Sequence, residues 1–278
     1  MPVNINLDVN KLIEDSLSPV AEPAMNTLSA IWGLTFGRID NYYEIKKLTD
    51  AKNLEDFKNK LEKEVSEIPE DNLKEPTLCI AGPALEASKF FFNEEELRNM
   101  FSKLIASSMD SSKVNHTYPS FAEIIKQMSK LDAQNLKIIS SASSLSRAVC
   151  QIKINNSDGS FNIIYSNVYI ANTDTTNYED LSASLINLER LGLIDINYTQ
   201  YLADESLYAK FENTDQFRDA SMITSTRNVE HDPKVDKSSQ DSNGPTDLNG
   251  VTKYDTPEIV KGIITVTSFG HKFIYTCL

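Results

Sequence analysis

Val149, Cys150, Gln151, Ile152, Lys153, Ile154 and Asn155 decide the fold class, because here the period of the chain changes. Cys150, Ile152 and Ile154 alternate with Val149, Gln151, Lys153 and Asn155, the two-residue repeat of a strand. The polar run from Asn155 to Gly159 supplies a turn. Phe161 to Ile170, rich in β-branched and aromatic residues, supplies a returning strand. A β-hairpin is expected over this stretch.

Toward the N-terminus the apolar residues recur three and four apart instead. Leu54, Phe57, Leu61, Val65 and Ile68 form one helical stripe, backed by Lys58, Lys60, Glu62, Lys63 and Glu64 and stopped by Pro69. Pro76 keeps Glu75 extended, and Gly82-Pro83 reads as a turn whose proline opens a new helix. Asn93 with Glu96, and Ser120 with Glu123, have the spacing of capping boxes. The first leads into Leu97, Met100, Phe101, Leu104 and Ile105, the second into Phe121, Ile124, Ile125 and Met128. Asp132 opens another helix through Leu136 and Ile139. Near the start, Asp8 caps a short helix carrying Val9, Leu12, Ile13 and Leu17, and Pro19 and Pro23 then break the chain.

Beyond the hairpin, a polar loop from Asn172 to Asn177 precedes a helix with Leu181, Leu185, Leu188 and Leu191, and Gly192 stands where a left-handed C-cap is wanted. Leu193 to Tyr198 reads as a strand, 228–257 as a polar mobile loop, Ile263 to Val266 as a strand, and Phe269 to Ile274 as a closing helix. The expectation is a mainly α protein with a smaller β component (α+β). A helical region spans 1–145, and a β-hairpin with a partial winged-helix-like module spans 146–278.

The 278 residues include 27 Lys+Arg against 40 Asp+Glu, a net charge of −13. Nucleic-acid binding needs a basic face to neutralise phosphates, so no nucleic-acid partner is expected. If the 181–191 helix entered a major groove it would present Glu179, Asp180, Asn187, Glu189 and Arg190, of which three repel phosphate. The three cysteines have no paired spacing and read as reduced thiols of a cytoplasmic protein. Met1 to Asn6 lack the features of a secretory signal. The most apolar stretch, 24–37, carries Leu28, Ile31, Trp32, Leu34 and Phe36 and falls short of the roughly 20 residues that span a bilayer. It reads as a buried or partner-facing helix, with a membrane-inserting element as the alternative.

No assembled chemistry is legible. His116, His231 and His271 are scattered, no Cys-x-x-Cys occurs, and phosphate-loop and nucleophile-elbow motifs are absent, so no metal, cofactor or catalytic residue is expected. Glu94, Glu95 and Glu96 sit at a helix start, where the helix dipole accounts for them. Glu86, after Pro83 among small and apolar residues, is expected to be partly buried or to cap its helix. His116, ahead of Tyr118, Pro119 and Ser120, is the histidine best placed for a role beyond packing.

One block is irregular enough to be distinctive. It includes Ile68-Pro69-Glu70, Glu75-Pro76, Ile80-Ala81-Gly82-Pro83-Ala84-Leu85-Glu86-Ala87, Glu96-Leu97-Arg98, Phe101, Leu104-Ile105-Ala106-Ser107, His116, Pro119-Ser120-Phe121 and Glu123 to Gln127. With Leu188, Leu191 to Ile194, Thr267, Phe269-Gly270, Phe273 and Cys277, it resembles the abortive infection alpha (Abi-alpha) family of bacterial proteins. The resemblance implies a mostly helical protein associated with phage resistance, in which an infected cell stops growing or dies before the phage matures. It carries over no catalytic residues. His116-Thr-Tyr-Pro119 is looser than the His-Pro arrangement of the family, and the polar loop after Asn228 looks like an insertion in this chain. The leading expectation is a non-enzymatic sensor or effector that contacts a host or phage protein, with self-association open. One alternative is a membrane-perturbing effector acting through 24–37. The other is a hydrolase or nuclease assembled from Glu86, Glu96, Arg98 and His116.

Overall fold

The structure, a computed structural model, describes residues 21–36, 46–142, 145–156, 159–230 and 257–278, with the backbone alone for 46–51 and 227–230. Among the described residues before the hairpin, the three-and-four spacing becomes the α-helices α1 (Ala21–Phe36), α2 (Lys46–Ser66), α3 (Leu78–Ser88), α4 (Glu95–Ser107), α5 (Ser120–Lys126) and α6 (Lys130–Ser140). There follow β1 (Ser146–Asn155), β2 (Phe161–Val168), α7 (Tyr178–Arg190), β3 (Ile194–Asn197), α8 (Ser206–Ala209), α9 (Asp215–Glu230), β4 (Glu258–Val266) and α10 (Ser268–Cys277). The class is α+β, as expected. Of the stretch 228–257 expected to be a mobile loop, 228–230 instead end α9, and 231–256 lie outside the described residues. The helix expected after Asp8 lies outside them too, while Pro23 falls in the first turn of α1, where its missing N–H has no helical role.

The chain divides into two compact units: 1–137 with 190–193 and 267–278, and 138–189 with 194–266. The closing helix thus belongs with the N-terminal helices and not with the strands that precede it. The reason is aromatic: Phe273 and Phe269 of α10 meet Phe121 at centroid distances of 5.1 and 5.4 Å, and Phe269 meets Tyr118 at 5.8 Å. Ser107 Oγ donates to the Thr276 carbonyl at 2.9 Å, tying α10 to the end of α4.

A second aromatic cluster in the helical unit joins Trp32 and Phe36 of α1 to Phe57 of α2 and to Phe92. Trp32 stacks on Phe57 at 5.7 Å and 19°, and Phe36 lies 5.7 Å from Phe92. Trp32, Phe36 and Phe57 are fully buried, each contributing roughly 1.5–3 kcal/mol of transfer free energy.

The local signals need correction in three places. Gly82-Pro83 is not a turn, since α3 runs straight through it. A residue before proline resists the helical conformation partly through its Cβ, which Gly82 lacks, and the carbonyl that Pro83 cannot answer belongs to the exposed Cys79. Asn93 does not cap α4; its Oδ1 accepts from Asn53 Nδ2 at 2.9 Å, and the cap position is Glu94. Ser120 does not cap α5 either: Pro119 holds that position and Glu123 pairs with Lys126 at 2.9 Å. The reciprocal box is instead Ser129 with Asp132. The Ser129 amide donates to Asp132 Oδ2 at 2.7 Å, and the Asp132 amide donates to Ser129 Oγ at 3.1 Å.

In the second unit the strands form one antiparallel sheet in the order β2-β1-β4-β3. β4 pairs with both β3 and β1, so the α7–Gly192–β3–β4 succession ends in a continuous sheet and not in the isolated two-stranded ribbon of a wing. Gly192 does take the left-handed conformation, at φ +73°. Cys150, Ile152 and Ile154 of β1 pack with Tyr208 of α8, with Phe211 in the turn that follows it, and with Ala220 of α9. Neither α8 nor α9 was legible as a helical stripe. The β1–β2 register shifts between Cys150 and Lys153, and opposite it Asn167 has φ +56°. Two tyrosines hold this bulge. Tyr198 OH donates to Asn167 Oδ1 at 2.6 Å, and Tyr178 OH donates to the Ser166 carbonyl at 2.7 Å.

Candidate functional site

The side chains singled out as catalytic candidates have separate structural partners. Glu86 is exposed, not partly buried, and pairs with Lys89 Nζ at 2.8 Å. Arg98 is buried; its guanidinium donates to the Phe92 carbonyl and lies 3.8 Å from Asp56 Oδ2. It therefore ties the loop bearing Phe92 to α4. His116 is exposed, with its ring edge-on to Tyr275 at 5.3 Å. Pro119 and Ser120 begin α5, and Phe121 is core. In α1, Leu28, Trp32 and Phe36 are buried and Ile31 is half-buried, so the apolar face lies inside the helical unit. The large apolar side chain of α1 left outside is Leu34, at 82% exposure. No helix among the described residues is long and apolar enough to cross a membrane, and no metal-holding group of His, Cys, Asp or Glu occurs among them.

Glu96 has a different setting. Its Oε1 accepts from Gln134 Nε2 at 3.0 Å and lies 3.7 Å from Lys130 Nζ, both on α6. Its Oε2 is buried and has no hydrogen-bond partner in the protein. Glu96 lines a groove of about 280 Å³ in the helical unit. Helical spacing explains the lining: Lys60, Lys63 and Glu64 share a face of α2, Glu96, Asn99 and Lys103 a face of α4, and Ala133 and Lys137 a face of α6. Met100, Ser102 and Cys277 contribute buried atoms. Burial pushes the Cys277 thiol up to about 12, so this wall is uncharged at neutral pH.

The groove carries charges of both signs. Four lysines, Lys60, Lys63, Lys103 and Lys137, outnumber Glu64 and Glu96 among its lining residues. Lys60 donates to Asn99 Oδ1 and, at 3.2 Å, to Glu95, whose carboxyl it holds below the ordinary glutamate range. Lys103 donates to the Leu278 carbonyl, and Lys63 lies 3.7 Å from Glu67. Sequence reading missed this site because its lysines come from three helices, and on each of them they read as part of an ordinary solvated face.

Residues 49–277 match the family model described as abortive infection alpha, most of the chain. The chain belongs to the abortive infection alpha family. Membership carries the family's abortive-infection, phage-defence role. The abortive infection alpha match takes in the groove from Lys60 to Cys277, whereas α1 and its Trp32 lie before it. No curated protein and no solved structure matches the chain.

Proposed function

We propose that this member of the abortive infection alpha family defends against phage without catalysis, as a sensor or effector that contacts a host or phage protein. The observation that carries this reading is the fate of the distinctive polar residues of the family block. Glu86 is spent on Lys89, Arg98 on the Phe92 carbonyl and Asp56, and His116 on Tyr275. A nucleophile, base and orienting group within hydrogen-bond reach of one another are what a hydrolytic site needs. The same region instead presents exposed apolar side chains, such as Leu78 at the start of α3 and Phe90 just beyond its end. Large exposed apolar or aromatic side chains are suited to protein contact.

The test is phage challenge of cells carrying the gene, with single substitutions compared at equal protein level. Protection should survive Glu86→Gln and His116→Ala and should fall with Phe90→Ser. Loss of protection in the first two, with the protein folded and Phe90→Ser fully active, would replace this reading with a catalytic one.

A further inference from the structure

We infer that the outer edge of β2 joins two copies of this chain, with Phe161 to Ile163 of each paired antiparallel about a two-fold axis at Asn162, so that two four-stranded sheets become one. The inference stands whether or not the chain acts on a host or phage protein.

β2 ends the order β2-β1-β4-β3, so one of its sides pairs with β1 and the other meets no strand. The hairpin fixes which backbone groups lie on that outer side. The Asn156 amide donates to the Ser160 carbonyl at 2.7 Å, which makes these two a hydrogen-bonded pair. In an antiparallel ladder bonded pairs alternate with unbonded ones. The register of Asn155 with Phe161, Ile154 with Asn162 and Lys153 with Ile163 therefore turns the Asn162 amide and carbonyl toward β1, and those of Phe161 and Ile163 outward. Farther along, the Ser166 amide and carbonyl go to Tyr178 and the Asn167 amide goes to Tyr198, whereas no side chain among the described residues meets the outward groups of Phe161 and Ile163.

Edge strands are ordinarily guarded by charge, proline or a bulge. Phe161 to Val168 contains no charged residue and no proline, and its bulge begins only beyond Ile163. The side chains of Phe161 and Ile163 are 55% and 45% exposed, on the sheet face that carries Lys153 and not on the face of Ile152 and Ile154. Lys153 lies 5.1 Å above the Phe161 ring and pairs with Glu258 at 2.7 Å, so the charge beside the edge is already neutralised. Two chains of net charge −13 can thus meet along an uncharged seam, and an unlike partner finds no charge on it to read. The strand is also its own complement. With the axis at Asn162, Phe161 of each copy faces Ile163 of the other, every outward amide meets an outward carbonyl, and an aromatic ring lies beside a β-branched side chain on one face.

The experiment is sedimentation velocity of the full chain over a concentration series, with cysteine cross-linking to read the register. The parent should pass from monomer to dimer on the order of 10–100 μM, as suits a small interface. Ile163→Pro removes an outward amide and no bond to β1, so it should weaken the dimer at least about tenfold while circular dichroism stays that of the parent. Should proline disturb the fold, Ile163→Glu keeps the amide and should weaken the dimer likewise, by setting two carboxylates near the axis. Cys79 is exposed, so cross-linking uses a Cys79→Ser chain. There Asn162→Cys should oxidise to a symmetric disulfide, because the axis sets its two Cα atoms about 4.5 Å apart. Ser160→Cys should not, its Cα atoms being about 14 Å apart. The inference is overturned if the parent stays monomeric throughout that range, whatever other protein then adds to the strand. It is equally overturned if the dimer survives both edge variants, or if Ser160→Cys cross-links as readily as Asn162→Cys.

Discussion

The ring of Tyr198 lies so close to the bare α-carbon of Gly262 that a Cβ on residue 262 would come within 2.5 Å of its Cδ1 and 2.7 Å of its Cε1. Real side chains do not tolerate such distances, so the ring must shift when residue 262 gains a methyl. Its hydroxyl would then leave Asn167, the left-handed residue of the β2 bulge. Gly262→Ala is expected to destabilise the sheet unit by about 1–3 kcal/mol. Replacing Tyr198 by Leu in the same chain should recover part of that loss, since the Asn197 carbonyl, 3.0 Å from the added Cβ, stays in contact. Urea unfolding followed by circular dichroism measures both; an unaltered midpoint for Gly262→Ala alone would show the ring is free to move.

The cap between Ser129 and Asp132 satisfies two amides at the start of α6. Ser129→Ala is expected to cost about 1 kcal/mol. Ser120→Ala, at a position with the same sequence spacing but no cap bond, should stay within about 0.5 kcal/mol. Equal losses for the two would mean that the spacing, and not the bond, matters.

Helix α1 separates its faces sharply, with Trp32 at 1% exposure and Leu34 at 82%. Trp32→Ala should cost roughly 3–5 kcal/mol and Leu34→Ala less than about 0.5 kcal/mol. Thermal melts decide it, and the reverse order would place the apolar face outside the core.

Tyr165 donates its phenol proton to Asp219 Oδ2 at 2.6 Å, and this carboxylate raises its pKa from 10.0 to about 12. Because the folded value is the higher, the contribution to stability is complete below pH 10.0 and is lost as pH rises toward about 12. Alkaline titration by ultraviolet absorption should show one tyrosine that Asp219→Asn moves back toward 10.0. Failure of that tyrosine to move would dissociate the shift from the hydrogen bond.

Of the three cysteines, Cys79 is exposed whereas Cys150 and Cys277 are buried, with their thiols held neutral by desolvation. An aromatic disulfide reagent at neutral pH should titrate a single thiol promptly, and all three after denaturation. Prompt loss of all three in the native chain would contradict the burial of β1 and α10.

Periodicity carried much of the fold. The stripe from Leu54 to Val65, the Leu97–Ile105 face, the hairpin strands and the Gly192 cap all stand where their residues put them, because each depends on neighbours within one or two turns of chain. Capping was less legible. Asn93 and Ser120 have the right spacing, yet Asn93 is claimed by Asn53, forty residues away in sequence, and the working box at Ser129 carries aspartate in place of the commoner glutamate.

By itself, then, the sequence determined the α+β class, the heart of its main helices and the family, since these rest on local period and on an irregular run of identities. Tertiary structure alone decided that α10 joins the N-terminal helices, that Gly82-Pro83 lies within a helix, and that lysines from three helices converge beside Glu96. Those outcomes depend on which distant faces bury their rings against each other, and burial between distant segments leaves no spacing in the chain to read.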